Sequence, residues 1–439
     1  MTNLREVAAA RPELSPRADR LELFPFVATR YRDPERLSAL TSLAYDLIAP
    51  DERENLAQAD EHSIVHLTLP TFGADDAQRR LYAWRRDGVL VPDSAPALFV
   101  YDLAETGGAP DRLSTRGWVG SVTLVQPGSP AISPHEATMP APVADRLRLL
   151  AATKANLEPI VLTHDGDPAV SDELAHSYVA AAEPIIDLRD DAGVRHRLWR
   201  VVEREHIEAV RTDFTGRRAV IADGHHRYKS YLDYQALQHA TAAGAGPWDR
   251  GLALLVPTQT HGPQVRAIHR VVPDLPLNRA VQAAGGTFRV SSMAPLSAAE
   301  ADDLLNTAQS TIVLLTDGTD WVTLTDPDRG PLLAGTPTAL AAAWRNLDIA
   351  LVDAGLIEGR WAASGTVVLR HSTAAALETA RDRSGVAVLV RPTAAATVLD
   401  LAARGVLMPR KSTFFVPKPR TGLVMRCFVD EADNPAAAG

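Results

Sequence analysis

Short apolar segments alternate with amphipathic segments along most of the chain. Compact apolar segments rich in β-branched residues predict strands, and windows with apolar positions three or four residues apart predict helices. The predicted strands are residues 63–69, 97–101, 118–125, 184–188, 218–222, 251–256, 311–315, 321–324, 366–369 and 386–390. The predicted helices are residues 74–88, 142–156, 227–240, 339–356, 374–383 and 394–404. This alternation predicts a mixed α/β fold.

The length of the chain predicts more than one domain, because a single hydrophobic core usually stops growing at roughly 250 to 300 residues and the chain has 439. We place an N-terminal α/β unit at residues 1–95, a central domain at 96–260 and a C-terminal α/β domain at 261–425. Residues 426–439 are predicted to be a tail.

Composition narrows the classes of function. The formal net charge is −9, which argues against a nucleic-acid partner. Cys427 is the single cysteine, so neither a disulfide framework nor a multi-cysteine metal site is available. The first residues develop no apolar signal-peptide core, and no apolar run approaches the ~18 residues of a membrane helix. We expect a cytoplasmic protein with no membrane partner, and homo-oligomerisation is left open.

The sequence Asp223-Gly224-His225-His226-Arg227 lies between a predicted strand and a predicted helix. A glycine permits close approach of the backbone, and the start of a helix offers amide groups and a favourable dipole to an anion. An arginine adds a fork of donors for phosphate oxygens, and Asp223 is a candidate Mg²⁺ ligand. The alternative is an ordinary polar helix start, with Asp223 as its cap and the histidines at the surface.

A zinc site is a weaker interpretation of the same residues. Adjacent histidines point in different directions, and no His-x-x-x-His pair occurs near the turn to place two imidazoles on one helical face. His62 and His66 have that spacing, but they fall at the predicted strand 63–69.

A second motif, Ser133-Pro134-His135-Glu136, precedes a basic amphipathic helix that carries Arg146 and ends near Asn156. A carboxylate beside a histidine, kept out of regular structure by a proline, is a candidate general base for a hydroxyl group. The alternative is a solvent-exposed loop acid.

A third cluster, residues 409–419, combines Lys411, Ser412, Thr413 and Lys418 with two aromatic residues and several prolines. Its basic and hydroxyl side chains are candidates for gripping a substrate anion. The alternative is a solvated loop that pins the end of the chain to the body. Tyr45 and Asp46 form a weaker candidate still.

These motifs together resemble an uncharacterised bacterial family, domain of unknown function 1015, over nearly the whole chain. The resemblance is carried by the turn at 223–228 and by residues 33–36, 45–50, 134–136, 145–147, 155–160, 196–199, 268–271 and 408–424.

A more distant resemblance is to the ParB/sulfiredoxin superfamily and its nucleotide-dependent kinases of free serine. It implies a central nucleotide-binding domain, Glu136 with His135 as the catalytic pair, and the five residues from Asp223 to Arg227 as the site for ATP or ADP and Mg²⁺. Substrate binding is then expected from Arg146, Asn156, Lys411, Ser412, Thr413 and Lys418.

The implied activity is phosphoryl transfer to a small, serine-like hydroxylated metabolite. The alternatives are a non-catalytic nucleotide- or phospho-ligand-binding regulator of the ParB kind and, less favoured, a sulfiredoxin-like enzyme. The last lacks a cysteine in the turn, where His225 stands.

Overall fold

The fold is described from a computed structural model that covers residues 20–105, 114–164, 170–241, 244–259, 261–337, 341–363, 365 and 367–432. Within those residues, no helix is both long and apolar enough to cross a bilayer. The chain divides into a first compact unit, within Met1–Ser133, Thr138–Gly262 and Lys418–Gly439, and a second, within Pro134–Ala137 and Pro263–Pro417.

The strands, in chain order, are β1 (Leu23–Phe24), β2 (Ala28–Tyr31), β3 (Leu90–Pro92), β4 (Leu98–Glu105), β5 (Thr115–Thr123), β6 (Ile132–Pro134), β7 (Ala155–Asn156), β8 (Ile160–His164), β9 (Ile186–Arg189), β10 (Val194–Val201), β11 (Ala219–Asp223), β12 (Arg250–Pro257), β13 (Gln264–Ala267), β14 (His269–Val272), β15 (Arg289–Met293), β16 (Ile312–Thr316), β17 (Trp321–Thr325), β18 (Val368–Arg370), β19 (Val386–Val390), β20 (Thr413–Val416) and β21 (Met425–Cys427).

The helices are α1 (Leu37–Leu40), α2 (Pro50–Ala59), α3 (Val65–Thr68), α4 (Ala74–Arg86), α5 (Pro140–Thr153), α6 (Val170–Ala181), α7 (Arg204–Phe214), α8 (His225–Thr241), α9 (Leu277–Ala284), α10 (Ala298–Thr307), α11 (Arg329–Leu332), α12 (Ala342–Arg345), α13 (Asp348–Ala350), α14 (Thr373–Asp382), α15 (Ala395–Ala403) and α16 (Val429–Ala432). A π-helix, Leu351–Arg360, continues directly from α13. The predicted mixed α/β, multidomain class is confirmed.

The first unit is built on a sheet in the order β6-β11-β8-β12-β5-β4-β10-β9, with β1 paired to β5. Strand β12 lies near its middle and is buried from Gly251 to Pro257, as its uninterrupted apolar sequence predicts. A second, smaller sheet has the order β3-β2-β21-β7. Helices α5 and α8 pack against each other, and Tyr228, Tyr231 and Leu232 of α8 join the core. This core fixes the position of α8 and of the turn that precedes it.

The second unit contains a sheet in the order β15-β17-β16-β19-β14-β18, in which every pairing is antiparallel. Leu314, Trp321, Leu389 and Val271 form its core together with α10 and α14. A separate two-stranded pair joins β13 to β20. The segment 409–419, interpreted from its sequence as a loop, therefore contains a strand.

Most predicted elements coincide with observed ones, and residues 63–69 are the exception. They were predicted to be a strand but contain α3. The backbone N–H groups of His62 and Ser63 bond to the side chain and the carbonyl of Asp60, which turns the chain into a helix. Ile64, Val65 and Leu67 are all buried, so alternation of apolar residues did not mark an exposed and a buried face. The prediction was wrong because local turn chemistry outweighed the pattern.

The two compact units differ from the three predicted domains. The predicted boundary at 260/261 lies beside the observed division near residue 262, whereas residues 20–95 share the first unit with the central segment. The pairings that unite them are β1 with β5 and an isolated bridge between Phe26 and Ala97. Residues 418–432, partly assigned to a tail, return to the first unit, where β21 pairs with β2 and β7.

Candidate functional site

A β-bulge and a glycine shape the turn between β11 and α8. The pairing of β11 with β8 shifts register between Ile221 and Asp223, and such bulges redirect the side chains that follow. Gly224 has φ +89°, a left-handed conformation that favours glycine. A Cβ atom on Gly224 would lie 3.0 Å from Ile160 Cγ2 and 3.1 Å from Arg227 Nε. The turn therefore requires glycine both for its conformation and for the space beside Arg227.

The carboxylate of Asp223 is held by two cations. Lys418 Nζ lies 2.6 Å from Oδ1, and Arg227 Nη2 lies 2.5 Å from Oδ2. The same Lys418 ammonium lies 3.2 Å from Asp46 Oδ2, so it bridges two carboxylates. Lys418 is 7% exposed at its side chain, whereas Asp46 is 27% exposed. Asp46 is thus the more accessible of the two acids.

Arg227 is buried, at 6% exposure, and is held on three sides. Besides Asp223, its Nη1 donates to the Pro159 carbonyl at 2.6 Å and lies 3.3 Å from Glu158 Oε2. Its Nε–H has no hydrogen-bond partner among the described residues, although it is buried beside Gly224. A buried donor without an acceptor is rare and is often completed by water or a ligand. Arg227 therefore has one buried donor that the described residues leave unsatisfied.

Glu158 and Tyr45 complete the surroundings of Arg227. Glu158 is 4% exposed, and its Oε1 accepts hydrogen bonds from Thr421 Oγ1 at 3.0 Å and from the Tyr45 N–H at 3.3 Å. The Arg227 guanidinium lies 5.9 Å from the centroid of the Tyr45 ring. We call the set Asp46, Glu158, Asp223, Arg227 and Lys418 the turn cluster.

Burial and charge act against each other in the turn cluster. Burial acts to raise the pKa of Asp223, but Lys418 and Arg227 hold that pKa well below its ordinary value. Burial acts to lower the pKa of Lys418, but Asp223 and Asp46 keep that pKa above its usual range. Burial raises the pKa of Tyr45 to about 12. At neutral pH, Asp223 is therefore a carboxylate and Lys418 an ammonium, each compensated by the other.

The two histidines of the turn face different surroundings. His226 Nε2 accepts a hydrogen bond from the backbone N–H of Met139 at 3.0 Å, and Met139 is the residue before α5. This contact satisfies one of the donors at the start of α5 and places His226 in the packing of α5 against α8. His225 is the first residue of α8 and lies close enough to Asp223 to lower the pKa of that carboxyl.

Arg146 and Asn156, both predicted to bind substrate, also lie in the first unit. Arg146 donates to the Thr68 carbonyl at 2.8 Å, and its guanidinium lies 4.3 Å from the centroid of the Tyr45 ring. Asn156 is 2% exposed, and its Oδ1 accepts from the N–H of Leu252 at 3.1 Å. Asn156 Oδ1 also accepts from Arg426 at 3.1 Å. Through its bond to Leu252, the Asn156 side chain connects β7 to β12.

His135 and Glu136 lie in the second unit and form a separate cluster there. Burial raises the pKa of the Glu136 carboxyl, against the opposing effect of Lys411, Arg270 and Arg410. Glu136 also accepts a hydrogen bond from the backbone of Lys411, which has the unusual φ of +52°. A raised pKa is the direction expected of a general base.

The remaining predicted substrate residues lie beside His135. Thr413 Oγ1 is 2.9 Å from His135 Nε2, and the His135 ring contacts Phe415 with centroids 5.5 Å apart. Ser412 is 4% exposed, and its Oγ has no hydrogen-bond partner among the described residues.

The predicted residues therefore form two groups. The first unit joins Lys418 to the Asp223 turn, and the second joins Lys411 and Thr413 to the His135–Glu136 motif. Sequence reasoning did not select Glu158, although an acid inside the apolar segment 157–162 was the available signal. It also set aside Asp46, whose contact with Lys418 spans 372 residues.

The donor set around the turn does not suit zinc. Across the described ranges, no group of three or more His, Cys, Asp or Glu side chains is arranged to hold a metal ion. Both oxygens of Asp223, the predicted Mg²⁺ ligand, are occupied by cations. Mg²⁺ is commonly bound by one or two carboxylates together with substrate phosphates, so a site of that kind needs fewer protein ligands.

Comparison with known proteins identifies the family. Residues 23–350 match the family described as "Protein of unknown function (DUF1015)". None of the curated proteins compared matches the chain.

Solved structures give low-scoring matches. A free serine kinase variant in complex with AMP is 14% identical with a TM-score of 0.33, over 65% of this chain and 84% of that one. SbnI with a C-terminal truncation, from Staphylococcus aureus, is 11% identical with a TM-score of 0.35, over 72% and 90%. A conserved hypothetical protein from Pyrococcus furiosus is 13% identical with a TM-score of 0.31, over 65% and 87%. These scores assign no activity.

The family match covers about three quarters of the chain and includes the turn at Asp223, Glu158 and Asp46. The family predicted from the sequence is confirmed: the chain belongs to the DUF1015 family.

Proposed function

We propose that the turn between β11 and α8 binds the phosphates of an adenine nucleotide, ATP or ADP, and that the protein is a phosphotransferase. The observation that carries this proposal is the unpartnered, buried Nε–H of Arg227 beside Gly224. It lies at the start of α8, where first-turn N–H groups have no acceptor within the helix and the dipole favours an anion. These features support a bound phosphate oxygen at the turn.

The charge of the turn cluster favours a nucleotide that is bound as its Mg²⁺ complex. The cluster contains three carboxylates and two cations, so its formal charge is −1. A bare polyphosphate is disfavoured beside such a cluster, whereas the Mg²⁺ complex of a nucleotide brings its own compensating charge. Asp46, the more exposed acid with the longer contacts to Lys418, is the better candidate ligand than Asp223.

The residues of the chain supply positioning and charge stabilisation, which account for most of the catalysis in phosphoryl transfer. Arg227 and the start of α8 would position the phosphates. Lys418 would stabilise the negative charge of Asp223 and Asp46. Bound Mg²⁺ would neutralise charge on the phosphate oxygens. The acceptor we propose is a small hydroxylated, serine-like metabolite. Glu136 as the general base stays a prediction from the sequence, and burial raises the pKa of that carboxyl, which is the direction expected of a base.

A non-catalytic binding protein is the second candidate function. It is favoured by the saturation of Asp223, which has both carboxylate oxygens committed to Lys418 and Arg227 and none left for a reacting group. Under this alternative the turn binds a nucleotide or phospho-ligand without catalysing a reaction.

Calorimetric titration of the full chain with ATP, ADP and AMP, each with and without Mg²⁺, tests the binding step. We expect saturable binding that depends on Mg²⁺ and on the terminal phosphates. Incubation with Mg²⁺, nucleotide and a panel of hydroxylated metabolites that includes L-serine tests transfer, followed by ³¹P NMR. Binding without turnover would favour the second candidate, and absence of nucleotide binding would refute both nucleotide proposals.

A further inference from the structure

The second unit contains a cavity of about 630 Å³ that lies against the π-helix. Its volume is within the roughly 300 to 1,000 Å³ typical of small-molecule sites. Trp344, Ile357 and Leu369 supply apolar walls, and Arg270, Asp353, Glu358 and Arg410 supply charges. The π-helix contributes Asp353, Ile357 and Glu358 to this wall, and π-helical turns occur frequently at functional sites.

Arg270 is the anchor of the cavity wall. It is 1% exposed and is gripped side-on by Asp353, with Nε–Oδ1 and Nη2–Oδ2 distances of 2.8 Å each. Its Nη1 donates to the Ile268 carbonyl at 2.5 Å. An arginine has five N–H donors, so one on each terminal nitrogen has no acceptor among the described residues. A buried guanidinium that lines a cavity with two donors left over is suited to one carboxylate.

Two further charges line the cavity without an ion-pair partner, although Arg410 lies close enough to Glu136 to lower the pKa of that carboxyl. Arg410 and Glu358 are exposed, and neither makes a hydrogen bond or ion pair with another residue in the described part of the chain. Arg410 adds a second cation for an anionic ligand group. Glu358 would repel a simple anion but would attract an ammonium on the same molecule. Trp344 offers an aromatic surface for an apolar part.

We propose that this cavity binds a small zwitterion of the α-amino acid class, with its carboxylate at Arg270 and Arg410 and its ammonium at Glu358. The site lies wholly within the second unit, and its occupancy by a zwitterion does not require a nucleotide at the turn in the first unit. Because Asp353 pairs with Arg270, the positive charge without an ion-pair partner among the described residues comes from Arg410, and the apolar walls select the side chain of the ligand.

The experiment is a titration of the full chain with a panel of free amino acids, their amine-free carboxylate analogues and inorganic phosphate, by calorimetry and tryptophan fluorescence. Arg410→Gln and Glu358→Gln are exposed substitutions that leave the buried Arg270–Asp353 pair intact. Arg289→Gln, at an exposed arginine of the same unit, is the matched control. Trp344→Phe should remove the fluorescence change while calorimetric binding persists.

We expect one or more amino acids to bind saturably, with Arg410→Gln weakening binding about tenfold or more and Arg289→Gln leaving it unchanged. Glu358→Gln should weaken the binding of amino acids but not the binding of their amine-free analogues. Binding of analogues as tightly as amino acids, binding of phosphate alone, or equal effects of Arg410→Gln and Arg289→Gln would each overturn the proposal. Binding by no member of the panel would overturn it as well.

Discussion

Substitution of Gly224 by alanine tests the phosphate-binding turn most directly. Gly224 and Gly216 both have left-handed backbones, with φ of +89° and +95°. An added Cβ at Gly224 meets Ile160 and Arg227 at 3.0 and 3.1 Å, whereas at Gly216 nothing lies within 4 Å. Gly216→Ala is therefore a matched control that introduces the same backbone strain without filling the space beside Arg227.

Backbone strain should destabilise both variants by about 1 kcal/mol, because an L-residue in the left-handed region costs roughly 1 to 2 kcal/mol. Only Gly224→Ala also displaces the Arg227 side chain, so only this variant should weaken binding of the Mg²⁺-nucleotide complex, by tenfold or more. A tenfold loss corresponds to about 1.4 kcal/mol of binding free energy.

Thermal unfolding with and without nucleotide separates the two effects. At a ligand concentration of 100 Kd, the parent chain and Gly216→Ala should each gain about 2.7 kcal/mol of stability. Gly224→Ala at the same concentration should gain about half of that. Equal gains for both variants would refute the assignment of the nucleotide to this turn, and loss of folding in Gly216→Ala would show that strain alone is decisive.

Three other predictions concern buried ionisable side chains. Lys418→Met leaves the buried carboxylate of Asp223 short of a cation and should lower the free energy of unfolding by about 3 kcal/mol. Lys229→Met, at a partly exposed helical ion pair, is the control and should change the free energy of unfolding by less than about 0.5 kcal/mol. Denaturant titration measures both changes. Burial lowers the pKa of His269 from 6.5 to about 4. As the pH falls from 6.5 to 4, the unfolded chain therefore takes up the proton before the folded chain does, and the free energy of unfolding should decrease by about 3 kcal/mol. His269→Gln should flatten that dependence and His239→Gln, at a half-exposed histidine, should not; equal slopes would contradict the assignment. Glu136→Gln should lower any phosphoryl transfer by about 10² or more while nucleotide binding persists, and unchanged turnover would exclude Glu136 as the base.

The local parts of the site were predictable from the sequence, because a strand, a glycine and a helix are encoded by neighbouring residues. The turn at Asp223 is placed where the pattern predicted it, and Gly224 adopts the conformation that only glycine takes easily. The family was predictable as well, since the motifs that carry the resemblance are spread from residue 33 to residue 424.

The distant pairings were not predictable in the same way. Lys418 contacts Asp223 across 195 residues and Asp46 across 372, and only the assembled sheets determine such neighbours. The sequence suggested that Lys418 grips a substrate anion, but the structure pairs its ammonium with two carboxylates. Likewise, the π-helix Leu351–Arg360 overlaps the end of the helix predicted for residues 339–356, because periodicity of apolar residues does not distinguish the two helix types.

The discontinuous path of the first unit has a consequence for the order of synthesis. Residues 418–432 are translated after the second unit, yet they supply Lys418 to Asp223 and the strand β21 that pairs with β2 and β7. All of the second unit is translated before them. A nascent chain that stops short of residue 418 therefore carries Asp223 and Asp46 without their shared ammonium, and the turn cluster reaches its charge balance only after the whole second unit has been translated.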